Sequence, residues 1–162
     1  MMGAVRVICP YTPAGLRDAT RQALEALGGP VEMVDVSATD HAYAALVAGL
    51  WAAGDTFLLV EHDMIPTLEA VTAMQECRRW WCANPYPVNH QQGETIEGLG
   101  FTRFRAQLLH AEPDVPAAAD RWAGAWPARH WAAYDARLAR VLAGRGYDRH
   151  RHPNLIDHLH LV

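Results

Sequence analysis

The spacing of apolar and polar positions changes several times along the chain, and each change marks an element. Val5-Arg6-Val7-Ile8-Cys9 is a short apolar run that stops at Pro10-Tyr11-Thr12-Pro13, as a strand entering a turn does. From Ala14 to Leu27 apolar and alanine positions recur at helical spacing, with Thr12 or Pro13 placed to open the helix and Gly28-Gly29 to close it. Val31 to Val36 reads as a second strand, and His41 to Ala53 as a second helix stopped by Gly54. Thr56 and the apolar run Phe57 to Val60 then form a buried strand. Strand, helix, strand, helix, strand in this order implies parallel pairing through right-handed crossovers, hence an α/β sheet.

The second half is less regular. Leu68 to Trp81 is helical, or helical and then extended, until Asn84-Pro85-Tyr86-Pro87 breaks it. His90 to Glu97 is a polar loop, and Gly98 to Arg105 a glycine-led strand running into Ala106 to His110. Residues 111–120, rich in proline, alanine and aspartate, are expected as a surface loop. Ala128 to Ala143 is helical in pattern, with Pro127 near its first turn and Gly144 and Gly146 at its end. There is no internal repeat and no linker.

The third strand ends in two acids, Glu61 and Asp63. If the strand continues through them, both project from one face at its C-terminal end, where open α/β sheets place their ligand crevice. Adjacent carboxylates raise each other's pKa unless a cation lies between them. A hard divalent metal carrying phosphate oxygens satisfies that need. Solvated acids at an ordinary strand end are the alternative.

Composition narrows the field. With 162 residues, 51% of them hydrophobic and 20% charged, the chain suits one globular domain with one core. A net charge of −4 argues against a dominant nucleic-acid-binding surface. All 14 basic residues are arginine, which fits the codon usage of a GC-rich genome and is no sign of phosphate binding. Three cysteines, Cys9, Cys77 and Cys82, cannot close a disulfide set, and no signal peptide or apolar run of about 20 residues is present. The expected compartment is therefore a reducing cytoplasm. Cys77 and Cys82 are expected as buried thiols, since two ligands do not make a zinc site.

Read in order, these segments resemble the GT-A glycosyltransferase domain, in particular its large inverting family. The resemblance runs through Pro10-Tyr11-Thr12 after the first strand, Asp35-Val36-Ser37-Ala38-Thr39-Asp40 after the second, and Glu61-His62-Asp63 in the place of the family's Asp-x-Asp motif. It continues in Gly98-Leu99-Gly100-Phe101-Thr102-Arg103-Phe104-Arg105, in Asp135-Ala136-Arg137-Leu138 followed by Leu142 and Gly146, and in His152-Pro153-Asn154-Leu155-Ile156-Asp157-His158-Leu159-His160. The chain departs from the family in having Glu61 as the first motif acid and Tyr134 before Asp135, and in its shortness.

The resemblance implies a single GT-A-like (Rossmann-like) α/β domain over residues 1–162, a mixed, mostly parallel sheet flanked by helices. Residues 1–66 would form the nucleotide-binding half and 67–162 the acceptor-binding half. The implied activity is hexosyl transfer from a nucleotide-diphosphate sugar, with Mn²⁺ or Mg²⁺ as cofactor. Asp63 and Glu61 would hold the metal with His158, or with His160 if the tail is extended. Pro10, Tyr11, Thr12, Asp35, Ser37, His62 and Arg149 would bind the donor, and Asp135 would be the base. Uridine is the expected nucleotide, because Asp35 can accept from its N3–H. The basic run Arg145 to His152 could cover a diphosphate, or be a solvated loop. Trp80, Trp81, Trp122, Trp126 and Trp131 lie in the acceptor half, where aromatic faces pack on sugar rings as well as in cores. The acceptor (small molecule, protein or modified nucleobase) and the oligomeric state are not legible. Two other classes compete: a metal-dependent phosphoester or nucleotide hydrolase using Asp63 with C-terminal histidines, and an inactive nucleotide-binding module.

Overall fold

A computed structural model describes residues 5–89, 94–96, 98–121, 131–153 and 156–159, with the backbone alone given for 88–89, 94–96, 131–132 and 157–158. The chain order is β1 (Arg6–Tyr11), α1 (Asp18–Ala26), β2 (Val31–Asp35), α2 (Ala42–Ala53), β3 (Phe57–Val60), β4 (Met64–Ile65), α3 (Leu68–Glu76) and β5 (Trp81–Ala83). There follow β6 (Tyr86–Asn89), β7 (Glu94–Ile96), β8 (Phe101–Phe104), α4 (Ala106–Ala111), α5 (Val115–Arg121), α6 (Trp131–Gly144), β9 (His150–Arg151) and β10 (Asp157–His158).

Six strands form the central sheet in the order β2-β1-β3-β8-β5-β9. β1 pairs in parallel with β2 and β3, and β5 with β9. β8 lies antiparallel between β3 and β5, so it alone is reversed. This is the mixed, mostly parallel α/β sheet that the family resemblance implies; the strand–helix alternation predicts its parallel part. β6 and β7 form a hairpin, and β4 pairs antiparallel with β10.

Because side chains alternate across a strand, each strand feeds two cores. Phe57 and Leu59 face one side with Ile8, Trp81 and Phe104, covered by α2, α4, α5 and α6. Leu58 and Val60 face the other with Val7, Cys9, Cys82 and Phe101, covered by α1 and α3. α2 shows how the sequence seats a helix. Its buried residues Tyr43, Val47, Leu50 and Trp51 fall at i, i+4, i+7 and i+8, one stripe of a 3.6-residue period. Gly54 ends it in the left-handed region at φ 77°, where a Cβ would be strained.

Several segments differ from the sequence expectation, and the expected polar loop at His90 to Glu97 contains β7, paired with β6 across a hairpin. α1 begins at Asp18 instead of Ala14, because Gly15 and Leu16 both donate to the Thr12 carbonyl at 3.0 Å and close a turn first. Only Phe101–Phe104 of the segment 98–105 is strand. The expected surface loop at 111–120 contains α5, whose Val115 and Ala119 are fully buried. Pro116 sits in its first turn, where a missing N–H costs nothing.

Candidate active site

Tyr11, Asp35 and Val60 end three parallel strands at one edge of the sheet, and the reversed β8 begins there with Phe101 opposite Val60. Beyond Val60 the strand stops. Glu61 N–H donates to Gly100 O at 2.8 Å, and Met64 N–H donates to Glu61 O at 3.0 Å, closing a turn. Glu61 and Asp63 are therefore neighbours within a turn and not same-face positions of a strand. Asp63 nevertheless lies close enough for its charge to raise the Glu61 pKa. The middle residue of the turn, His62, points under the β1–α1 loop. Its Nδ1 accepts from Thr12 N–H at 3.0 Å, and a Cβ on Gly15 would stand 2.7 Å from its Nε2. His62 thus ties the acidic turn to Thr12, with one ring nitrogen committed to that loop.

Two further elements bring side chains to the Glu61 carboxylate. Tyr43, in the first turn of α2, donates its hydroxyl to Glu61 Oε1 at 2.7 Å. Asp135 comes from α6. Its Oδ2 accepts from Leu99 N–H at 3.0 Å, while its Oδ1 is buried with no hydrogen-bond partner. The glycine-led segment makes this approach possible. A Cβ on Gly98 would fall 2.6 Å from Asp135 Oδ2, and one on Gly100 would fall 2.9 Å from the Tyr86 hydroxyl.

The electrostatics follow from that crowding. Burial pushes Asp135 up to about 7, against the lowering effect of the Leu99 hydrogen bond and the Arg149 charge. Burial, and next the charge of Asp135, holds Glu61 well above the usual carboxylate range; the Tyr43 hydrogen bond opposes this and Asp63 adds to it. Carboxylates that share a poorly solvated site cannot all ionise, so the group retains a proton near neutral pH. Burial also raises Tyr43 and Tyr86, with the charges of Glu61 and Asp135 adding in both cases.

The remaining expected residues are dispersed around this centre. Pro10 is buried in β1, with Tyr11 and Thr12 half-buried after it. Asp35 is exposed, and its Oδ1 accepts from Ser37 N–H at 2.8 Å, which holds its pKa below the usual range. Arg149 lies over the Trp81 ring, 4.7 Å from the centroid, and burial lowers its pKa while Asp135 and Tyr86 raise it. Arg145, in the same basic run, is occupied elsewhere: it pairs with Glu112 and Asp114, each at 2.6 Å. β10 pairs His158 with Met64, and Leu159 N–H donates to Asp63 O at 2.8 Å, so the tail reaches the acidic turn. His158 is described by its backbone, and His160 lies outside the described residues.

Sequence reasoning missed Tyr43, Tyr86 and the Leu99 amide. A tyrosine within an alanine- and leucine-rich helix looks like core, and a backbone donor has no sequence signature. Among the tryptophans, Trp81 is core, stacked on Phe104 at 5.6 Å with planes 7° apart, and Trp80 is 47% exposed. Trp122 and Trp126 lie outside the described residues, and Trp131 is described by its backbone.

No family model matches the chain, and no curated protein matches it. Solved structures do. A197 from STIV superposes with a TM-score of 0.59 at 13% identity, over 98% of this chain and 86% of that one. A glycosyltransferase involved in the glycosylation of the major capsid of PBCV-1 superposes with a TM-score of 0.58 at 9% identity, over 98% of this chain and 95% of that one. At such identity the likeness concerns the fold, which is glycosyltransferase-like. Among the described residues no helix is long and apolar enough to cross a membrane.

Proposed function

We propose that this chain is a GT-A-type glycosyltransferase that moves a sugar from a nucleotide-diphosphate donor to an acceptor hydroxyl. The observation that carries this reading is the meeting of Glu61, Asp63 and Asp135 at the C-terminal edge of the parallel strands. The glycosyltransferase-like fold supports it. The assignment takes 1–162 as one domain, with the donor bound by 1–66 and the acceptor by 67–162.

Glu61 and Asp63 offer oxygen ligands in a turn, a donor set that fits Mn²⁺ or Mg²⁺. Bound there, a divalent cation would neutralise charge on the diphosphate leaving group. Asp135 serves as the base: Leu99 fixes one oxygen, the other is unoccupied, and a pKa of about 7 suits proton abstraction near neutral pH. Arg149 supplies a cation for the diphosphate from a position fixed by Trp81. Asp35, exposed at the end of β2, accepts from the base N3–H, which favours a uridine donor. Of the C-terminal histidines that the hydrolase reading needs beside Asp63, His150 packs against Cys77 and His152 instead, while His158 pairs through β10 with Met64.

The test is a thermal-shift panel of UDP, GDP, CDP and ADP with and without Mn²⁺, on wild type and Asp63→Ala. Stabilisation by UDP that requires both Mn²⁺ and Asp63 is expected. Absence of any nucleotide response, with metal alone stabilising the protein, would overturn the glycosyltransferase reading.

A further inference from the structure

The far end of the same sheet assembles a different set of ligands. Cys77 caps the C-terminus of α3, and Cys82 is the central residue of β5. β9 pairs in parallel with β5 so that His150 is the register partner of Cys82. His152 lies two residues further on, held by its N–H to the Ala83 carbonyl at 3.0 Å. Two thiols from residues 77–82 and two imidazoles from 150–152 thus meet through the β5–β9 pairing and the end of α3, although the cysteines by themselves are too few for a site.

The distances suit a tetrahedral centre. The ligand atoms of Cys77, Cys82 and His152 lie within 4.8 Å of one another. Cys77 Sγ is 3.4 Å from His150 Nδ1, and the two imidazole rings are 4.8 Å apart at 78°. Zinc bonds of about 2.3 Å to sulfur and about 2.0 Å to nitrogen place ligand atoms roughly 3.3–3.8 Å apart. For Cys77, Cys82 and His152, closing onto an ion thus takes side-chain adjustments of roughly an ångström.

Burial points the same way. Cys82 is fully buried, His152 is 7% exposed, and His152 Nε2 has no hydrogen-bond partner. An unsatisfied buried nitrogen is costly, and a metal bond would satisfy it. Burial pushes the Cys82 thiol up to about 12, and the neighbouring Arg103 charge opposes that. The thiol protons would leave as the cation binds, so binding would release protons and strengthen with rising pH. Cys77 and His150 are half-buried and leave a route in from solvent.

We propose that Cys77, Cys82, His150 and His152 form a structural site for a thiophilic divalent cation, zinc first among them. It is chemically distinct from the carboxylates at Glu61 and Asp63, because sulfur and imidazole select zinc whereas oxygen ligands select magnesium or manganese. The bound ion would clip the edge strand β9 and the end of α3 to β5. It would also fix the residue preceding His150, namely Arg149, over Trp81.

Elemental analysis of the purified chain and Co²⁺ titration under reducing conditions test this. Expected are stoichiometric zinc, a thiolate-to-cobalt charge-transfer band, and slow alkylation of Cys77 in the zinc form that becomes fast after chelation. Cys77→Ser, at a half-buried position, is expected to weaken cobalt binding at least about tenfold, as the loss of a ligand should. Asp63→Ala is expected to leave the band unchanged. The proposal is overturned if the wild type shows no charge-transfer band, if Cys77 and Cys82 are joined in a disulfide, or if the band disappears in Asp63→Ala. Alkylation of the wild type decides the matter even if Cys77→Ser does not fold.

Discussion

Asp135 carries a conflict between stability and chemistry. Its folded pKa of about 7 exceeds its ordinary 3.8, so the native state binds the extra proton between those values. A raised acid contributes its full stability below about pH 4 and loses it as pH rises towards 7. The loss is about 4 kcal/mol at most, since Glu61 shares the proton. Asp135→Asn is therefore expected to unfold at a higher denaturant concentration than wild type at alkaline pH, with no difference near pH 4. The same variant should transfer sugar roughly 100-fold or more slowly, the usual range for loss of a general base. Denaturation at the two pH values and a turnover assay check both outcomes. The acids of this site were legible in different ways: Glu61 and Asp63 by following an apolar run, Asp135 by family resemblance. Tyr43 was not legible, because its hydroxyl is polar only at the tip of a ring that otherwise completes the apolar stripe of α2.

Between the residue and the fold stand the short elements that aim these groups. The 98–100 segment is a turn because Gly98 and Gly100 lie against Asp135, Tyr86 and Met64 too closely for a side chain. Gly98→Ala should push Asp135 away from the Leu99 amide, costing about 1–3 kcal/mol as overpacking does. Activity should fall more than Tm suggests, and comparing turnover with melting separates the two effects. The glycine-led pattern was visible in the sequence, though as a strand: periodicity cannot distinguish an extended run from a turn that feeds one. α5 was hidden for a related reason, since Pro113, Asp114 and Pro116 carry the composition of a loop while only the first turn of a helix accepts proline. The β3 exit was misjudged likewise. Alternation along a strand predicts which way Glu61 and Asp63 point only while the strand lasts, and it ends at Val60.

At the scale of the molecule, the alternation of strands and helices in the first 65 residues sufficed to anticipate a parallel α/β sheet. The reversed β8 and the edge strand β9 could not be anticipated, because their partners lie far away in sequence. β1, β2 and β3 pair with near neighbours, whereas β9 returns to β5 and β10 returns to β4. A chain ending at Tyr147 should keep helical content from α1 and α2 but lose cooperative melting and any nucleotide-dependent thermal shift, as circular dichroism and the nucleotide panel would show. The backbone of the acidic turn is held in part by Leu159, through its N–H on the Asp63 carbonyl. During synthesis on the ribosome, then, the nascent chain would emerge with its carboxylates already made but not yet held in place. Any activity would begin only when residues 157–159 lock onto the acidic turn, so an early-made segment waits for its partner from much later in the chain.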